Sequence, residues 1–148
     1  MKIQTINAVI VEDEMAAVQA LKAYLSKYCP QVTVTGVAHN CTDAIALLHE
    51  LQPQLVFLDV EMPFGNAFDV LEGCRDLDFE TIFVTAYSEY ALRALNQSAA
   101  YYLLKPVSIE ELIVAVQKVG QLLQQKDGIR RNHGVIDNNK KNFELQKL

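Results

Sequence analysis

The chain has 148 residues, 51% of them hydrophobic and 21% charged, which is typical of a water-soluble globular protein with one well-packed domain. Its net charge of -5 argues against nucleic acid as a partner for most of the chain. No apolar stretch is long enough to cross a membrane, and the N-terminus leads into a predicted strand without room for a signal peptide. We therefore expect a cytoplasmic protein that does not contact a membrane. Cys29, Cys41 and Cys74 are odd in number and show no C-x-x-C spacing, so we expect reduced, small hydrophobic residues.

The first part of the chain alternates between strand and helix patterns. A β-rich run predicts a strand over residues 6–11, and apolar residues at helical spacing predict a helix over residues 15–28. Residues 32–38 alternate with a period of two, which favours a strand with one wetter face at the edge of a sheet. Thr42 is the predicted N-cap of a helix over residues 44–51.

The run Leu55–Leu58 is followed directly by Asp59. Four large apolar residues without alternation are typical of a strand buried on both faces, as in a parallel sheet covered by helices. Asp59 would then lie at the carboxyl end of that strand. In open α/β sheets this is the edge at which ligands bind.

The second part of the chain repeats the alternation. A turn at Gly65-Asn66 precedes a predicted short helix that ends near Cys74, and residues 81–85 form a second buried-type strand. Ser88 is the predicted N-cap of the next helix. That helix carries Ala91, Leu92 and Leu95.

The last predicted strand and helix follow the same order. Residues 101–104 form the strand, which ends at Lys105-Pro106, and Ser108-Ile109-Glu110-Glu111 is a capping box that begins the final helix. The inward positions of this helix are Leu112, Val116, Val119 and Leu123.

Strand and helix thus alternate five times, and the handedness rules leave few topologies for that pattern. We predict an α/β, flavodoxin-like (βα)5 fold with a doubly wound, five-stranded parallel sheet of order 2-1-3-4-5.

Residues 126–148 differ from the rest in composition. They are rich in Gly, Asn and Lys and carry a net charge of +3, which leaves -8 for residues 1–125. We expect a polar linker or disordered tail. A basic arm that touches DNA is the less favoured alternative, because no recognition motif accompanies the charges.

Charged and polar residues gather at the predicted carboxyl ends of four strands. They are Glu12 and Asp13 after the first strand, Asp59 and Glu61 after the third, Thr85 at the end of the fourth and Lys105 after the fifth. Acids at close range repel one another unless a cation compensates. Hard oxygen ligands select Mg²⁺, whose spare coordination positions suit phosphate oxygens. Because a carboxylate is a competent nucleophile toward phosphorus, the residues predict Mg²⁺-assisted phosphorylation of an Asp.

Four segments resemble the receiver domain of two-component response regulators. They are Val11-Glu12-Asp13-Glu14, Phe57-Leu58-Asp59-Val60-Glu61-Met62-Pro63, Val84-Thr85-Ala86-Tyr87 and Tyr102-Leu103-Leu104-Lys105-Pro106. The resemblance implies that residues 1–125 are a receiver domain, phosphorylated by a sensor histidine kinase. Such a domain is a signalling switch rather than an enzyme, since it catalyses only its own phosphorylation and dephosphorylation.

The resemblance also implies a role for each acid. Asp59 would be the phosphoacceptor. Asp13, Asp59 and the backbone carbonyl of Glu61 would hold Mg²⁺ directly, and Glu12 would hold it through water.

The remaining roles belong to the ends of the last two strands. Thr85, Lys105 and the amide of Ala86 would bind the phosphoryl group, and Pro106 would follow a cis peptide bond. Thr85 and Tyr102 would form a switch. In the family, Thr is drawn toward the phosphoryl group while the aromatic ring turns inward, which repacks the face of the fourth helix, fifth strand and fifth helix.

Residues 85–92 and 100–107 resemble, more narrowly, receivers attached to LytTR-type DNA-binding domains. This implies control of transcription through a domain absent from this chain, with residues 126–148 as the linker to it. Contact with DNA would occur only through that effector domain. A homodimer formed on phosphorylation is the expected active state.

Two other interpretations remain open: a phosphate-independent binding module, and an enzyme of the same topology such as a phosphohydrolase or a flavodoxin. A phosphate-independent binding module would keep the same fold, but no signature position is degraded here. A phosphohydrolase of the same topology would need Asp-x-Asp where this chain has Asp59-Val60-Glu61. A flavodoxin would need a Ser/Thr-rich loop where this chain has Glu12-Asp13-Glu14.

Overall fold

A five-stranded parallel sheet forms the centre of the protein. The computed structural model describes residues 5–138, with side chains for residues 5–129. The strands are β1 (Ile6–Val11), β2 (Val32–Ala38), β3 (Leu55–Leu58), β4 (Glu80–Thr85) and β5 (Tyr101–Leu104). They lie in the order β2-β1-β3-β4-β5 and all pair in parallel. The predicted flavodoxin-like order 2-1-3-4-5 is confirmed.

Helices cover both faces of this sheet. They are α1 (Met15–Tyr28), α2 (Cys41–Leu51), α3 (Ala67–Gly73), α4 (Ala91–Asn96) and α5 (Ile109–Asn138). Buried residues of α1 and α5 form one core with the sheet, and those of α2, α3 and α4 form the other. Among the helices of residues 5–138, none is both long enough and apolar enough to cross a membrane.

Strand β3 contributes to both cores. Phe57 faces the α1–α5 side and Val56 the opposite side, and each is at most 1% exposed. This explains the apolar run without alternation, because a central parallel strand has no solvent-facing side. The predicted edge strand, β2, is paired on one side only and is partly exposed. The three cysteines are free thiols and buried, as expected.

The register of the strands brings their carboxyl ends level. Val11 pairs with Leu58, Leu58 with Phe83, and Thr85 with Leu104. Residues that follow β1, β3 and β5 therefore meet at one edge, beside the end of β4.

A short hairpin connects β3 to α3. Its strands are Glu61–Met62 and Gly65–Asn66. Gly65 has a φ of +124°, a backbone conformation that L side chains rarely adopt, so glycine is strongly favoured there. Asn66 caps α3 by accepting the amide of Asp69 at 3.1 Å, while the Asp69 carboxylate accepts the amide of Asn66. The two residues of the predicted turn thus form the second strand of the hairpin, and Asn66 is also the N-cap of α3.

Two predicted N-caps are wrong. Helix α2 is capped by Asn40, whose Oδ1 accepts the amide of Asp43 at 2.8 Å, and Thr42 already lies in the first turn. Asn40 has the extended backbone that a cap needs, with φ -155° and ψ 170°. Ser88 does not cap α4 either, because it begins a 3₁₀ turn, Ser88–Tyr90, which runs directly into the helix.

Helix α5 continues beyond its predicted end near residue 125 to Asn138. Residues 126–138, the first part of the expected polar linker or disordered tail, are thus helical. Lys126 stabilises this continuation, since its Nζ lies 2.7 Å from both Asp78 Oδ1 and Glu80 Oε2 at the start of β4. The rest of the expected tail, residues 139–148, lies outside the described part of the chain.

Candidate functional site

Three acids meet at the carboxyl edge of the sheet. Oxygen atoms of Glu12, Asp13 and Asp59 all lie within 4.8 Å of one another. Glu12 and Asp13 follow β1, and Asp59 follows the neighbouring strand β3. Glu12 is 5% exposed and Asp59 is 7% exposed, whereas Asp13 is open to solvent. Two carboxylates are therefore largely removed from water, which has a desolvation cost.

Lys105 bridges the two buried acids. Its Nζ lies 2.6 Å from Glu12 Oε1 and 3.2 Å from Asp59 Oδ2. The backbone amide of Lys105 donates to the carbonyl of Thr85, which fixes the lysine at the end of β5. The Lys105–Pro106 peptide bond is cis, the isomer that the resemblance implies.

Burial and charge act in opposite directions on this cluster. Burial raises the pKa of Glu12 to about 7, against the hydrogen bond from Lys105 and with a further increase from the charge of Asp59. Burial alone would lower the pKa of Lys105, but its contacts with Glu12 and Asp59 outweigh this and raise it. The lysine thus stays a cation at neutral pH, and the Glu12 carboxyl takes up a proton at a higher pH than an ordinary glutamate does.

Backbone amides complete the hydrogen bonds of the buried acids. The amide of Glu14 donates to Glu12 Oε2 at 3.1 Å, and the amide of Val60 donates to Asp59 Oδ1 at 2.7 Å. Both oxygens of Glu12 therefore already have protein donors. Asp13 and Asp59 supply hard carboxylate oxygens at the open side of the cluster, which is the chemistry that Mg²⁺ prefers. The residues present fit a magnesium ion.

A cleft opens above the cluster. Its lining includes Asp13, Asp59, Glu61, Ala86 and Lys105, so five of the predicted site residues share one opening. A phosphoryl group in this cleft would meet a lysine, carboxylates that could hold a metal, and the chain segment after β4.

The two predicted switch residues lie behind the cleft, and both bind the backbone of Tyr87. Thr85 has no exposed surface, and its Oγ1 accepts the amide of Tyr87 at 3.4 Å. The hydroxyl of Tyr102 donates to the carbonyl of Tyr87. The Tyr102 ring stacks on Phe83, with ring centroids 5.7 Å apart. A movement of Thr85 toward the cleft would thus alter the backbone that Tyr102 binds.

Some side chains that contact the acids of the site were not predicted from the sequence. The hydroxyl of Tyr90 donates to Glu61 Oε2 at 3.1 Å, and His39 Nδ1 donates to the carbonyl of Glu12 at 3.0 Å. The charge of Glu61 raises the pKa of Tyr87, and its hydrogen bond raises that of Tyr90. The spacing of Tyr87 and Tyr90 after β4 was a visible signal, but it does not reveal that both rings face the loop after β3.

The sequence is similar to known signalling proteins. Residues 8–117 match the family described as the response regulator receiver domain. A protein of Vibrio cholerae described as an uncharacterized response regulatory protein is 37% identical over 118 residues, which are 77% of this chain and 48% of that protein. The sensory transduction protein LytT of Bacillus cereus is 30% identical over 132 residues, which are 88% of this chain and 52% of that protein. The chain thus spans about half the length of the curated relatives it matches.

The fold is similar to a solved structure of the same kind. The response regulatory domain of protein mrkE from Klebsiella pneumoniae superposes with a TM-score of 0.74 at 26% identity. The match covers 80% of this chain and 98% of that domain.

Proposed function

This chain belongs to the response regulator receiver domain family, and we propose that it is a switch operated by phosphorylation of Asp59. The observation that carries the proposal is the position of Asp59, buried beside Glu12 and bound to Lys105 at the floor of an open cleft. The phosphoryl donor is a sensor histidine kinase, consistent with the family. The proposed reaction needs Mg²⁺, for which Asp13, Asp59 and the carbonyl of Glu61 are the ligands.

Phosphoryl transfer requires little covalent work from the protein. A carboxylate oxygen of Asp59 attacks phosphorus, the phosphorus–nitrogen bond of the kinase phosphohistidine breaks, and its electron pair returns to the imidazole. Lys105, already hydrogen-bonded to Asp59, and the amide of Ala86 bind the transferred oxygens. Bound Mg²⁺ supplies neutralisation of charge between the acids and the phosphoryl group. Glu12 acts through water, since both of its oxygens have protein donors.

The switch follows from the contacts of Tyr87. A phosphoryl group on Asp59 attracts the hydroxyl of Thr85, which competes with the hydrogen bond that Thr85 now accepts from Tyr87. Because Tyr102 donates to the carbonyl of the same residue, Tyr87, its ring position responds. The face of α4, β5 and α5 then repacks.

This face also carries exposed apolar side chains that support a homodimer. They are Leu92, Leu95 and Leu104, exposed by 70%, 66% and 44%. Large apolar surfaces of this kind mark interaction sites. We propose that phosphorylation brings two copies together through it.

The output is proposed to be transcriptional and to use a LytTR-type DNA-binding domain in the longer protein. The similarity to LytT and the half-length coverage of the relatives support this. Contact with DNA occurs through that domain alone. The receiver acts in the cytoplasm, where its kinase presents the phosphoryl group, and not at a membrane.

The test is covalent labelling of Asp59. Acetyl phosphate with Mg²⁺ should add one phosphoryl group to the wild-type chain, as measured by mass spectrometry, and none to Asp59→Asn. Asp76→Asn, a change at an exposed acid remote from the cleft, should label like wild type. Equal labelling of Asp59→Asn would overturn the assignment. No labelling of wild type, together with no binding of beryllofluoride, would instead favour the phosphate-independent binding module.

A further inference from the structure

The side chain of His39 extends the hydrogen bonding between β1 and β2 beyond the end of both strands. The register pairs Val11 with Ala38, and the amide of Glu12 donates to the carbonyl of Ala38 at 2.9 Å. In a parallel pair, the amide and the carbonyl of one residue bind the same neighbouring strand at positions two residues apart. The carbonyl of Glu12 would therefore next meet the amide of Asn40.

The chain turns into α2 at this point, and the imidazole of His39 supplies the donor. Asn40 is the N-cap of α2, and its side chain accepts the amide of Asp43. His39 Nδ1 lies 3.0 Å from the carbonyl oxygen of Glu12. A carbonyl oxygen only accepts, so Nδ1 carries the proton, and in a neutral ring Nε2 does not. The amide and the carbonyl of Glu12 are thus both held by the end of β2.

The peptide group held in this way also carries Asp13. The carbonyl of Glu12 belongs to the peptide bond between Glu12 and Asp13, which is planar and resists rotation. A hydrogen bond to that carbonyl therefore fixes the plane of the whole group, and with it the direction in which the chain enters Asp13. Few rotations then remain between this peptide and the Asp13 carboxylate.

Asp13 needs this support more than the other two acids of the cluster. Glu12 and Asp59 are buried, and Lys105 and backbone amides bind both of them. Asp13 is open to solvent, although one of its oxygens lies within 4.8 Å of theirs. Lys105 offsets only one of the three negative charges, so the acids still repel one another without a metal. The backbone that carries Asp13 therefore has a large share in keeping it in the cluster.

We propose that His39 is a positioning residue of the metal site, and that its Nδ1–H group holds the Glu12–Asp13 peptide in the orientation that suits Mg²⁺. The inference rests on the proposed function, in which Asp13 is a ligand of the metal. His39 acts through the backbone of Glu12 and needs no contact with the metal or the phosphoryl group. Groups that orient metal ligands contribute about tenfold to hundredfold to metal affinity. Because the His39 side chain is exposed, we expect the lower end of this range.

The tautomer of His39 tests the geometry without any metal. NMR of the ring nitrogens, on the full chain in EDTA and at a pH at which the imidazole is neutral, should find the proton on Nδ1. A proton on Nε2 would leave Nδ1 with no hydrogen to donate to the carbonyl of Glu12, and would overturn the proposal.

Two variants of nearly the same shape isolate the hydrogen bond. His39→Asn keeps an N–H donor near the place of Nδ1, and His39→Leu has the same branching without a donor. In an NMR titration, His39→Leu should bind Mg²⁺ about tenfold more weakly than wild type, whereas His39→Asn should bind it nearly as well. His49→Leu is the control and should bind Mg²⁺ like wild type, because His49 pairs with Asp76 and does not line the cleft. Equal affinity of His39→Leu and wild type would refute the role of His39, and so would equal weakening in His39→Asn and His39→Leu.

The dependence of phosphorylation on Mg²⁺ separates positioning from a merely structural role. Labelling of His39→Leu by acetyl phosphate should be slow at low Mg²⁺ and approach the wild-type rate at saturating Mg²⁺, because Asp59 and Lys105 are unchanged. A lower rate at every Mg²⁺ concentration would show a general disturbance of the fold and refute the proposal. His39→Ala takes the place of His39→Leu should the leucine variant not fold.

The same titration distinguishes this inference from the proposed function. Wild type that binds no Mg²⁺ would refute the metal site itself, and the role of His39 with it. Tight Mg²⁺ binding by wild type and His39→Leu alike would refute the role of His39 and leave the metal site standing.

Discussion

At the scale of single residues, Glu12 is a carboxyl group whose charged form is disfavoured by burial. It is buried beside Asp59, and burial raises its pKa from 4.5 to about 7 although Lys105 donates a hydrogen bond to it. The acid that the proposed mechanism uses through water is thus poorly solvated in the absence of a metal. Its ionisation opposes folding.

The free energy of unfolding of the metal-free protein should therefore fall as the pH rises toward neutrality. The folded pKa of Glu12 lies above the unfolded value of 4.5, so its stabilising contribution is complete below about pH 4.5 and is lost as the pH passes through 7. The loss amounts to at most about 3 kcal/mol. Urea unfolding in EDTA at a series of pH values measures it.

Glu12→Gln is the corresponding control. It keeps the side-chain shape but removes the titration, so the decrease between about pH 5 and pH 8 should become smaller. An unchanged slope in Glu12→Gln would show that the titration of Glu12 is not the cause of the decrease.

At the scale of elements, the ends of the helices are where the prediction from the sequence and the structure differ. Asn40 and Thr42 are both good capping residues, and their spacing before α2 does not decide between them. The decision comes from tertiary structure, because the amide of Cys41 donates to the carbonyl of Pro63 in the neighbouring hairpin and holds this end of α2 in place.

Asn40→Ala should therefore destabilise the protein by about 1 kcal/mol, through the loss of its bond to the Asp43 amide. Thr42→Ala should have no more than a few tenths of that effect, because alanine is a good helix former and Thr42 is exposed in the first turn. Chemical denaturation of the two variants measures the difference. Equal destabilisation would contradict the assignment of the cap.

The contacts of Lys126 make a second prediction at this scale. Lys126→Gln removes the ion pairs with Asp78 and Glu80, so amide hydrogen exchange in residues 126–138 should become faster. Lys118→Gln is the matched control, since Lys118 is an exposed lysine of the same helix. The cost in global stability is no more than about 1 kcal/mol, because the Lys126 side chain is still 31% exposed. Equal exchange in both variants would show that the helix continues without this contact.

Most of the fold and the members of the acid cluster follow from the sequence, for identifiable reasons. Buried parallel strands such as β3 leave an unambiguous apolar run, and the residue after each strand is then placed at one edge. The end of α5 was missed because Lys126 contacts Asp78 and Glu80, which lie about fifty residues earlier in the chain and are brought near only by the fold. The contact of Tyr90 with Glu61 was missed for the same reason, since it joins two loops that only the folded sheet brings together.

At the scale of the whole molecule, the exposed leucines of α4 and β5 predict how copies associate. Leu95→Glu places a charge in the middle of this face and should keep the protein monomeric in Mg²⁺ and beryllofluoride, whereas wild type should double its mass in light scattering. Ala23→Glu adds the same charge at an exposed position of α1 and should still dimerise. A dimer of Leu95→Glu would place the interface elsewhere.

The ion pair between Lys105 and Glu12 spans 93 positions of the chain. The pair joins residues that follow β1 and β5, so it can form only after both strands have taken their places in one sheet. A chain still emerging from the ribosome without β5 would possess Asp59, the proposed acceptor, and both neighbouring acids, but not the cation that offsets their repulsion. On the proposed function, the site would thus be complete only when the last strand has docked, and partly folded chains would lack the lysine that binds the phosphoryl group.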